Sequence, residues 1–298
     1  SQFVHKSDDG SQSWQVISPD LTLNDKTHQQ NSGGIAIDNL MTFDGAVLFS
    51  IVESPLEPGL IWTGSNDGQV HLTRNGGKSW ENVTGNINGL PAWGTIANIE
   101  VSRFTPGTAY ISVDLHQMGD FDPYVYKTED YGNSWKLISQ AVPKSVHSFA
   151  HVVKEDPKRP GMLYLGVDNG VYITTDDGQS WMRLRNNLPP APVYWLEIQD
   201  RFDDLVVGTY GRGYYILDNI APLREFDVDA LGEAAHLFSL RPAYRFQEQE
   251  AIKTDGPSLN SGRNPAYGAD INYYLKDSTD QKVEVQILDT DDEIIRTL

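Results

Sequence analysis

The chain has 298 residues, enough to bury a sizeable core in one large or two ordinary domains. Its formal net charge of −18 argues against nucleic acid or an anionic membrane surface as a partner. It has no cysteine, which excludes disulfides, a thiol nucleophile and a thiolate metal site, and no apolar run approaches the ~20 residues of a membrane-spanning helix. We therefore predict no nucleic-acid partner and no membrane insertion.

An eight-residue pattern recurs four times, and we call its copies the repeat turns. The clearest copy runs from Thr174 to Trp181 and reads Ser/Thr, any residue, Asp/Asn, any residue, Gly, any residue, Ser, Trp. In such a turn the Asx side chain accepts bonds from nearby amides, Gly supplies a positive φ, and Trp enters apolar packing. The first copy has Ser11 where the others have Gly. The predicted structural residues are Ser7, Asp9, Trp14, Thr73, Asn75, Gly77, Trp80, Thr128, Asp130, Gly132, Trp135, Thr174, Asp176, Gly178 and Trp181.

Short β-type runs accompany the repeat turns in a fixed order. Hairpin patterns with Gly/Asn/Asp turns span 59–73, 161–174 and 204–217, and further strands are predicted at 47–52, 95–101 and 147–153. Trp135 and Trp181 are 46 residues apart, close to the ~40–50 residues of a β-propeller blade. The sequence therefore predicts an all-β fold, a partial β-propeller of four-stranded blades. The predicted propeller contains three complete blade units and one partial unit at each end.

Two insertions lengthen the earlier repeats. One lies between Trp14 and Val47 and includes the Gly-rich stretch Asn31–Gly34. The other is Asp114–Pro123, which interrupts the strand pair that ends at Thr128. Insertions at one edge of the blades often build a binding face, so we expect the functional residues there.

The repeat stops after Leu223, and the rest of the chain has a different composition. We predict propeller blades over 1–224, a connector over 225–268, and the first strands of an incomplete immunoglobulin-like sandwich over 269–298. The connector holds a Gly/Pro/Asn/Ser-rich stretch, and the tail returns to β-type alternation. We expect missing propeller blades to be supplied by an N-terminal segment or another chain.

The repeat turns resemble the Asp-box, or BNR, repeats of sialidases, xyloglucanases and sortilin-type receptors. Segments 54–68, 155–166 and 208–213 make residues 1–224 similar to the C-terminal part of sortilin-like bacterial exported propellers of the "glycosyl hydrolase, BNR repeat" type. The resemblance implies a propeller followed by a β-sandwich, and an extracytoplasmic location (secreted, periplasmic or cell surface). The arginine triad and Tyr–Glu pair of a sialidase are not identifiable, because Arg103, Arg212 and Arg241 do not form a triad by spacing.

Four carboxylates are the candidates for catalysis. A two-carboxylate glycosidase needs an acid and a base or nucleophile about 5–9.5 Å apart across a groove. Asp114, Asp120 and Asp122 lie in the second insertion, and Glu53 precedes a Pro turn. The same aspartates are alternatively solvated loop residues or Ca²⁺ ligands, although they do not follow the twelve-residue calcium-loop pattern. We predict no metal or cofactor, with Ca²⁺ as the alternative.

Five residues are the candidates for ligand binding: Trp93, His116, Trp195, Tyr210 and Arg212. The three aromatic rings lie at turn or insertion positions rather than in the repeated core positions, and sugars stack on such rings. The alternative for these rings is packing against neighbouring blades. His147 and His151 are predicted on one strand about 13 Å apart, too far for one shared ion unless the strand bends.

These observations predict a protein- or glycan-binding module of a larger secreted or cell-surface protein or assembly. One alternative is an extracellular glycoside hydrolase whose catalytic carboxylates lie partly outside this chain. The other is a purely structural scaffold.

Overall fold

A computed structural model describes residues 1–29, 46–226, 231–243, 268–280 and 282–298. The predicted insertion at Asn31–Gly34 lies outside the described residues. The chain forms two compact units, Ser1–Ile220 and Ala221–Leu298. Within the described residues, no helix is long and apolar enough to span a bilayer.

Three four-stranded antiparallel sheets form the body of the first unit, and in each sheet the strands are ordered as they occur in the chain. The first sheet contains β3 (Leu48–Glu53), β4 (Ile61–Ser65), β5 (Val70–Thr73) and β6 (Glu81–Asn82). The second contains β7 (Thr95–Val101), β8 (Ala109–Asp114), β9 (Tyr124–Thr128) and β10 (Lys136–Leu137). The third contains β11 (Ala150–Glu155), β12 (Leu163–Val167), β13 (Gly170–Thr174) and β14 (Met182–Leu184).

A smaller sheet lies at each end of this series. Before it come β1 (His5–Lys6) and β2 (Gln15–Val16), and after it come β15 (Val193–Gln199), β16 (Asp204–Thr209) and β17 (Tyr214–Leu217). The inner strands β3, β7, β11 and β15 contact one another in succession, as adjacent propeller blades do. Short 3₁₀ turns lie at Lys26–Gln29, Thr84–Asn86 and His116–Met118. The predicted partial propeller, with three complete units and a partial unit at each end, is confirmed.

The repeat turns connect the third and fourth strands of each blade and share one hydrogen-bond pattern. In the fourth copy, Asp176 Oδ1 accepts bonds from Thr174 Oγ1 at 2.7 Å and from the Ser180 amide at 2.9 Å. Ser180 Oγ donates to Asp176 Oδ2, and the Gly178 amide donates to Thr174 Oγ1. The carboxylate is therefore fully used in holding the turn. Equivalent bonds to Asp9, Asn75 and Asp130 show that these residues have the same role.

Each complete turn also joins its blade to the preceding one. The Trp181 indole donates to the Ile138 carbonyl at 2.8 Å, and the Trp80 indole donates to the Ile17 carbonyl at 2.8 Å. Trp135 packs edge-on against Trp62 of the preceding blade. Trp181 is only 8% exposed. Apolar burial of this kind is the main stabilising contribution between the blades.

The glycine of the repeat turn is required for close approach as well as for its backbone conformation. Gly178 has φ +82°, and a Cβ there would lie 2.7 Å from the Ile138 carbonyl oxygen. We expect Gly178→Ala to lower the free energy of unfolding by about 3 kcal/mol, from strain plus overlap. Gly76 has φ +68° but open space around it, so Gly76→Ala should cost only about 1 kcal/mol. Urea unfolding of both variants measures the difference, and equal losses would contradict a close-contact role.

The second unit contains one short helix and two strand pairs in its described residues. These are α1 (Ala221–Glu225), β18 (Ala235–Leu237) with β19 (Tyr273–Leu275), and β20 (Gln286–Leu288) with β21 (Ile294–Thr297). The division falls at Ile220, close to the predicted end of the blades at residue 224. β18 lies inside the predicted connector, most of which is outside the described residues. The tail strands occur where the sequence predicts them, although β19 pairs with β18 rather than with the next tail strand.

Candidate functional site

A cavity of about 660 Å³ opens at the end of the blades where the inner strands begin. The repeat turns lie at the opposite end of the same sheets, because successive connections of an antiparallel sheet alternate between its two ends. The volume is typical of small-molecule sites. Its lining residues are His28, Phe49, Asn66, Trp93, Thr95, Ala97, Asp114, Leu115, His116, Gln117, Met118, His151, Tyr194 and Trp195.

A β-bulge in every inner strand directs a side chain towards this cavity. The register between the first and second strands of each blade shifts at Leu48/Ser50, Ile96/Asn98, Ala150/Val152 and Val193/Trp195. The extra residues are Phe49, Ala97, His151 and Tyr194, and all four line the cavity. Bulges re-aim side chains at the rims of sheets and next to active sites. The repeated backbone therefore provides four equivalent positions, and the sequence fills them with different side chains.

Trp93 has an unusual backbone conformation. Its φ is +64°, in the left-handed region that bulky residues rarely adopt. The next residue must be glycine, because a Cβ at Gly94 would lie 2.5 Å from Val113 Cγ1. Strain of this kind costs roughly 1–3 kcal/mol and concentrates at functional sites. The strained backbone holds an indole ring in the cavity lining.

Three imidazoles in the lining are held against aromatic rings. His28 stacks on Trp93 with centroids 3.9 Å apart, His151 stacks on Tyr194 at 4.0 Å, and His116 stacks on Phe149 at 4.7 Å. Stacked pairs of this geometry restrict both rings. Much of the lining is therefore a set of preorganised flat surfaces.

Asp114 is the only carboxylate among the cavity-lining residues that the structure describes. Its Oδ1 accepts a bond from the His116 amide at 2.9 Å and lies 2.7 Å from His116 Nδ1. Its Oδ2 is 3.7 Å from His151 Nδ1. Asp114 is thus oriented by two neighbours.

His151 is buried, and it separates two carboxylates. Its Nε2 lies 3.6 Å from Asp168 Oδ1, on the side opposite the contact with Asp114. Burial lowers the pKa of His151, and the nearby charges of Asp114 and Asp168 only partly oppose this. The distances to both carboxylates place the His151 imidazole between Asp114 and Asp168.

The predicted separation of His147 and His151 along one strand is wrong. Strand β11 begins at Ala150, so His147 lies in the preceding turn. The chain bends there, and His147 Nδ1 approaches Asp168 Oδ2 at 2.8 Å while His151 approaches the other oxygen. Among the residues that the structure describes, no group of three or more His, Asp or Glu could hold a metal ion.

The other candidate carboxylates are engaged in local structure. Asp120 accepts bonds from the Asp122 amide and the Tyr124 hydroxyl, and Asp122 pairs with Lys144. Glu53 ends β3 and accepts a bond from the Gly59 amide, away from the cavity end of that strand. The structure does not bring these three residues into the cavity lining with Asp114.

Three of the five binding candidates, Trp93, His116 and Trp195, line the cavity. Tyr210 is exposed, and its ring lies 5.7 Å from that of Tyr194. Arg212 is exposed in the turn between β16 and β17 and is not part of the lining.

Sequence reasoning missed Phe49, Tyr194 and Asn66, and it gave no role to His28. An internal alignment of the blades would have found the first two, because Phe49, Ala97, His151 and Tyr194 occupy one repeat position. His28 stacks on Trp93 although the two residues are far apart in the sequence. No local pattern signals such a contact.

No protein-family model matches the chain. A curated relative, the oligoxyloglucan-reducing end-specific xyloglucanase of Emericella nidulans, is 28% identical over 119 residues, which is 40% of this chain and 14% of the relative. The solved GH74 xyloglucanase of Xanthomonas campestris has a TM-score of 0.53 at 17% identity, over 75% of this chain and 35% of that protein. An ancestral GH74 enzyme has a TM-score of 0.49 at 19% identity, over 69% and 24%.

In each of these comparisons the chain spans well under two thirds of the relative's length. At such low identity the structural likeness concerns the fold alone, and the sortilin-like relationship remains a prediction. The successive four-stranded blades and the likeness to the Xanthomonas campestris xyloglucanase together show that the chain has the β-propeller fold.

Proposed function

We propose that the protein is an extracytoplasmic glycan-binding propeller module and that the cavity is its carbohydrate site. The observation that carries this proposal is the lining, in which three bulges present the rings of Phe49, His151 and Tyr194 and a strained backbone presents the Trp93 indole, beside a few polar groups. Sites for small ligands have this composition, mostly apolar with a few convergent polar groups. Sugar rings have apolar faces that stack on aromatic side chains, and their hydroxyls suit the Asp114 carboxylate and the amide of Gln117.

The polar groups of the cavity favour a ligand without strong negative charge. Asp114 lines the cavity, whereas no Lys or Arg is found among its described lining residues. A phosphate or uronate would be repelled by the Asp114 carboxylate, and no Lys or Arg among the described lining residues offsets that charge. We therefore propose a neutral or amino sugar as the ligand.

The test is a calorimetric titration of the whole chain with neutral, amino and acidic oligosaccharides, including xyloglucan fragments. We expect saturable binding by a neutral or amino sugar. Trp195→Ala should weaken it about tenfold, because Trp195 is 56% exposed in the lining and its removal leaves the core unchanged. Tyr214→Ala removes an exposed ring outside the cavity and serves as the matched control. A chain that binds no member of the panel would contradict the carbohydrate site.

A glycoside hydrolase is the second candidate, favoured by the xyloglucanase relative. Glycoside hydrolysis by the usual mechanism needs two carboxylates across a groove, and only Asp114 is available among the described lining residues. We expect the chain to release no reducing sugar from the polysaccharide that it binds, and Asp114→Asn to leave this background unchanged. If the chain releases reducing sugar and Asp114→Asn abolishes that release, the function is hydrolysis rather than binding alone.

A further inference from the structure

The last blade of the first unit has an open position on its outer side. Its sheet ends at β17, and no strand pairs with the outer edge of β17 in the part of the chain that the structure describes. A groove of about 350 Å³ lies beside this edge. Its apolar lining includes Leu184, Leu188, Leu205, Val207, Tyr215 and Leu217.

The complete blades show what normally fills this position. There the repeat turn ends in a tryptophan, and in the first and third complete blades this tryptophan lies over the residue that follows the outer strand of the preceding blade and donates to its carbonyl. In the second complete blade Trp135 donates instead to a carbonyl of its own turn. The acceptor residues in the preceding blades are Ile17 and Ile138, and the glycines of the same turns, Gly77 and Gly178, approach them closely. The tryptophan then leads directly into the fourth strand.

The strand register identifies the corresponding acceptor for the last blade. The Ile138 amide donates to the Val125 carbonyl, and Leu184 pairs with Val171 at the same point of the next blade. Leu184 therefore corresponds to Ile138, and it lines the groove. The groove thus lies where the indole of a further repeat turn would pack.

The sequence after β17 does not supply that turn. In the third blade Thr174, the first residue of the repeat turn, pairs with Leu163. At the equivalent point of the last blade Leu217 pairs with Leu205. Leu217 therefore takes the place of the first residue of a repeat turn. Ile220 then becomes fully buried, and α1 begins at Ala221. Neither the glycine nor the tryptophan of the pattern follows.

We propose that the outer edge of β17 binds a segment of another polypeptide that has a tryptophan immediately before an extended run. The extended run adds a fourth strand to the sheet, as in other cases of β-strand addition. The indole enters the groove and donates a hydrogen bond to the Leu184 carbonyl. The observations that support this are the three complete blades and the 82% exposure of Tyr214 on the open edge. This site is separate from the cavity, and its test is independent of carbohydrate binding.

The test uses a labelled peptide with the chain's own sequence from Thr174 to Leu184, titrated against the whole protein by fluorescence anisotropy. We expect saturable binding, and a peptide carrying Trp181→Ala should bind at least about tenfold more weakly, because filling the groove depends on the indole. Hydrogen exchange should slow at the backbone amides of β17 when the first peptide is bound. Equal binding of the two peptides, or no saturable binding of either, would overturn the proposal.

Two adjacent tyrosines in the protein provide a matched pair of variants. Tyr215 lines the groove, whereas Tyr214 does not. Tyr215→Ala should weaken binding of the tryptophan peptide about tenfold, and Tyr214→Ala should change it less than about twofold. Similar effects of the two variants would contradict insertion of the indole into the groove.

Discussion

Replacing Trp93 with asparagine is expected to weaken carbohydrate binding about thirtyfold without lowering the melting temperature. A central aromatic contact in a binding site is worth about 2 kcal/mol, which corresponds to that factor. Asparagine adopts a positive φ more readily than tryptophan, so the substitution relieves the strain at φ +64°. This relief offsets the lost stacking of Trp93 on His28.

Calorimetry and thermal unfolding of the same samples measure the two effects. Trp62→Phe is an informative comparison because Trp62 is fully buried between blades. That variant should lower the melting temperature and leave the affinity for sugar unchanged. If Trp93→Asn lowered the melting temperature as Trp62→Phe does, Trp93 would be a core residue rather than a ligand contact.

The second large effect concerns Glu100, a buried carboxylate on β7. Burial raises its pKa to about 7 from 4.5, although Lys154 lies 3.2 Å away and acts in the opposite direction. In the folded protein Glu100 therefore keeps a proton between pH 4.5 and 7 that the unfolded chain has released. Stability from this group is present at low pH and is lost as pH rises to 7, by roughly 3 kcal/mol in total.

Glu100→Gln removes this titration. The free energy of unfolding of the variant, relative to the wild type, should rise by roughly 3 kcal/mol between pH 4.5 and 8. His71 and His151, whose pKa values are lowered by burial, titrate in both proteins and cancel in the difference. Lys154 keeps Glu197 as a partner at 3.5 Å in the variant.

Urea unfolding at several pH values measures this difference. Glu197→Gln is the control, because Glu197 contacts the same lysine but its side chain is 48% exposed, and its effect should stay below about 1 kcal/mol. If the difference in free energy of unfolding between Glu100→Gln and the wild type does not change with pH, burial does not raise the pKa of Glu100.

The blades could be predicted from the sequence because their determinants are local. Each repeat turn needs an Asx carboxylate or amide, a glycine and a tryptophan within eight residues, and alternation marks the flanking strands. The predicted strand over 95–101 agrees with β7 residue for residue, and the predicted hairpin over 204–217 has the same bounds as β16 and β17. Because the same local pattern occurs four times in the sequence, the number of complete blades was predicted correctly.

The cavity was predicted only in part because its geometry is not local. Trp93, His116 and Trp195 were selected for lying outside the repeated core positions, and they line one cavity. The three insertion aspartates were treated as one group, but Asp114 lines the cavity while Asp120 and Asp122 hold the loop. Whether a carboxylate faces a cavity or a neighbouring amide depends on backbone turns that composition does not encode.

The most direct test of the carbohydrate site is a crystal structure of the protein with the tightest-binding oligosaccharide of the panel. The structure should show a sugar ring in the cavity, stacked on Trp93 or Trp195 and with a hydroxyl bonded to Asp114. A bound sugar elsewhere on the protein, with the cavity occupied by solvent alone, would contradict the assignment.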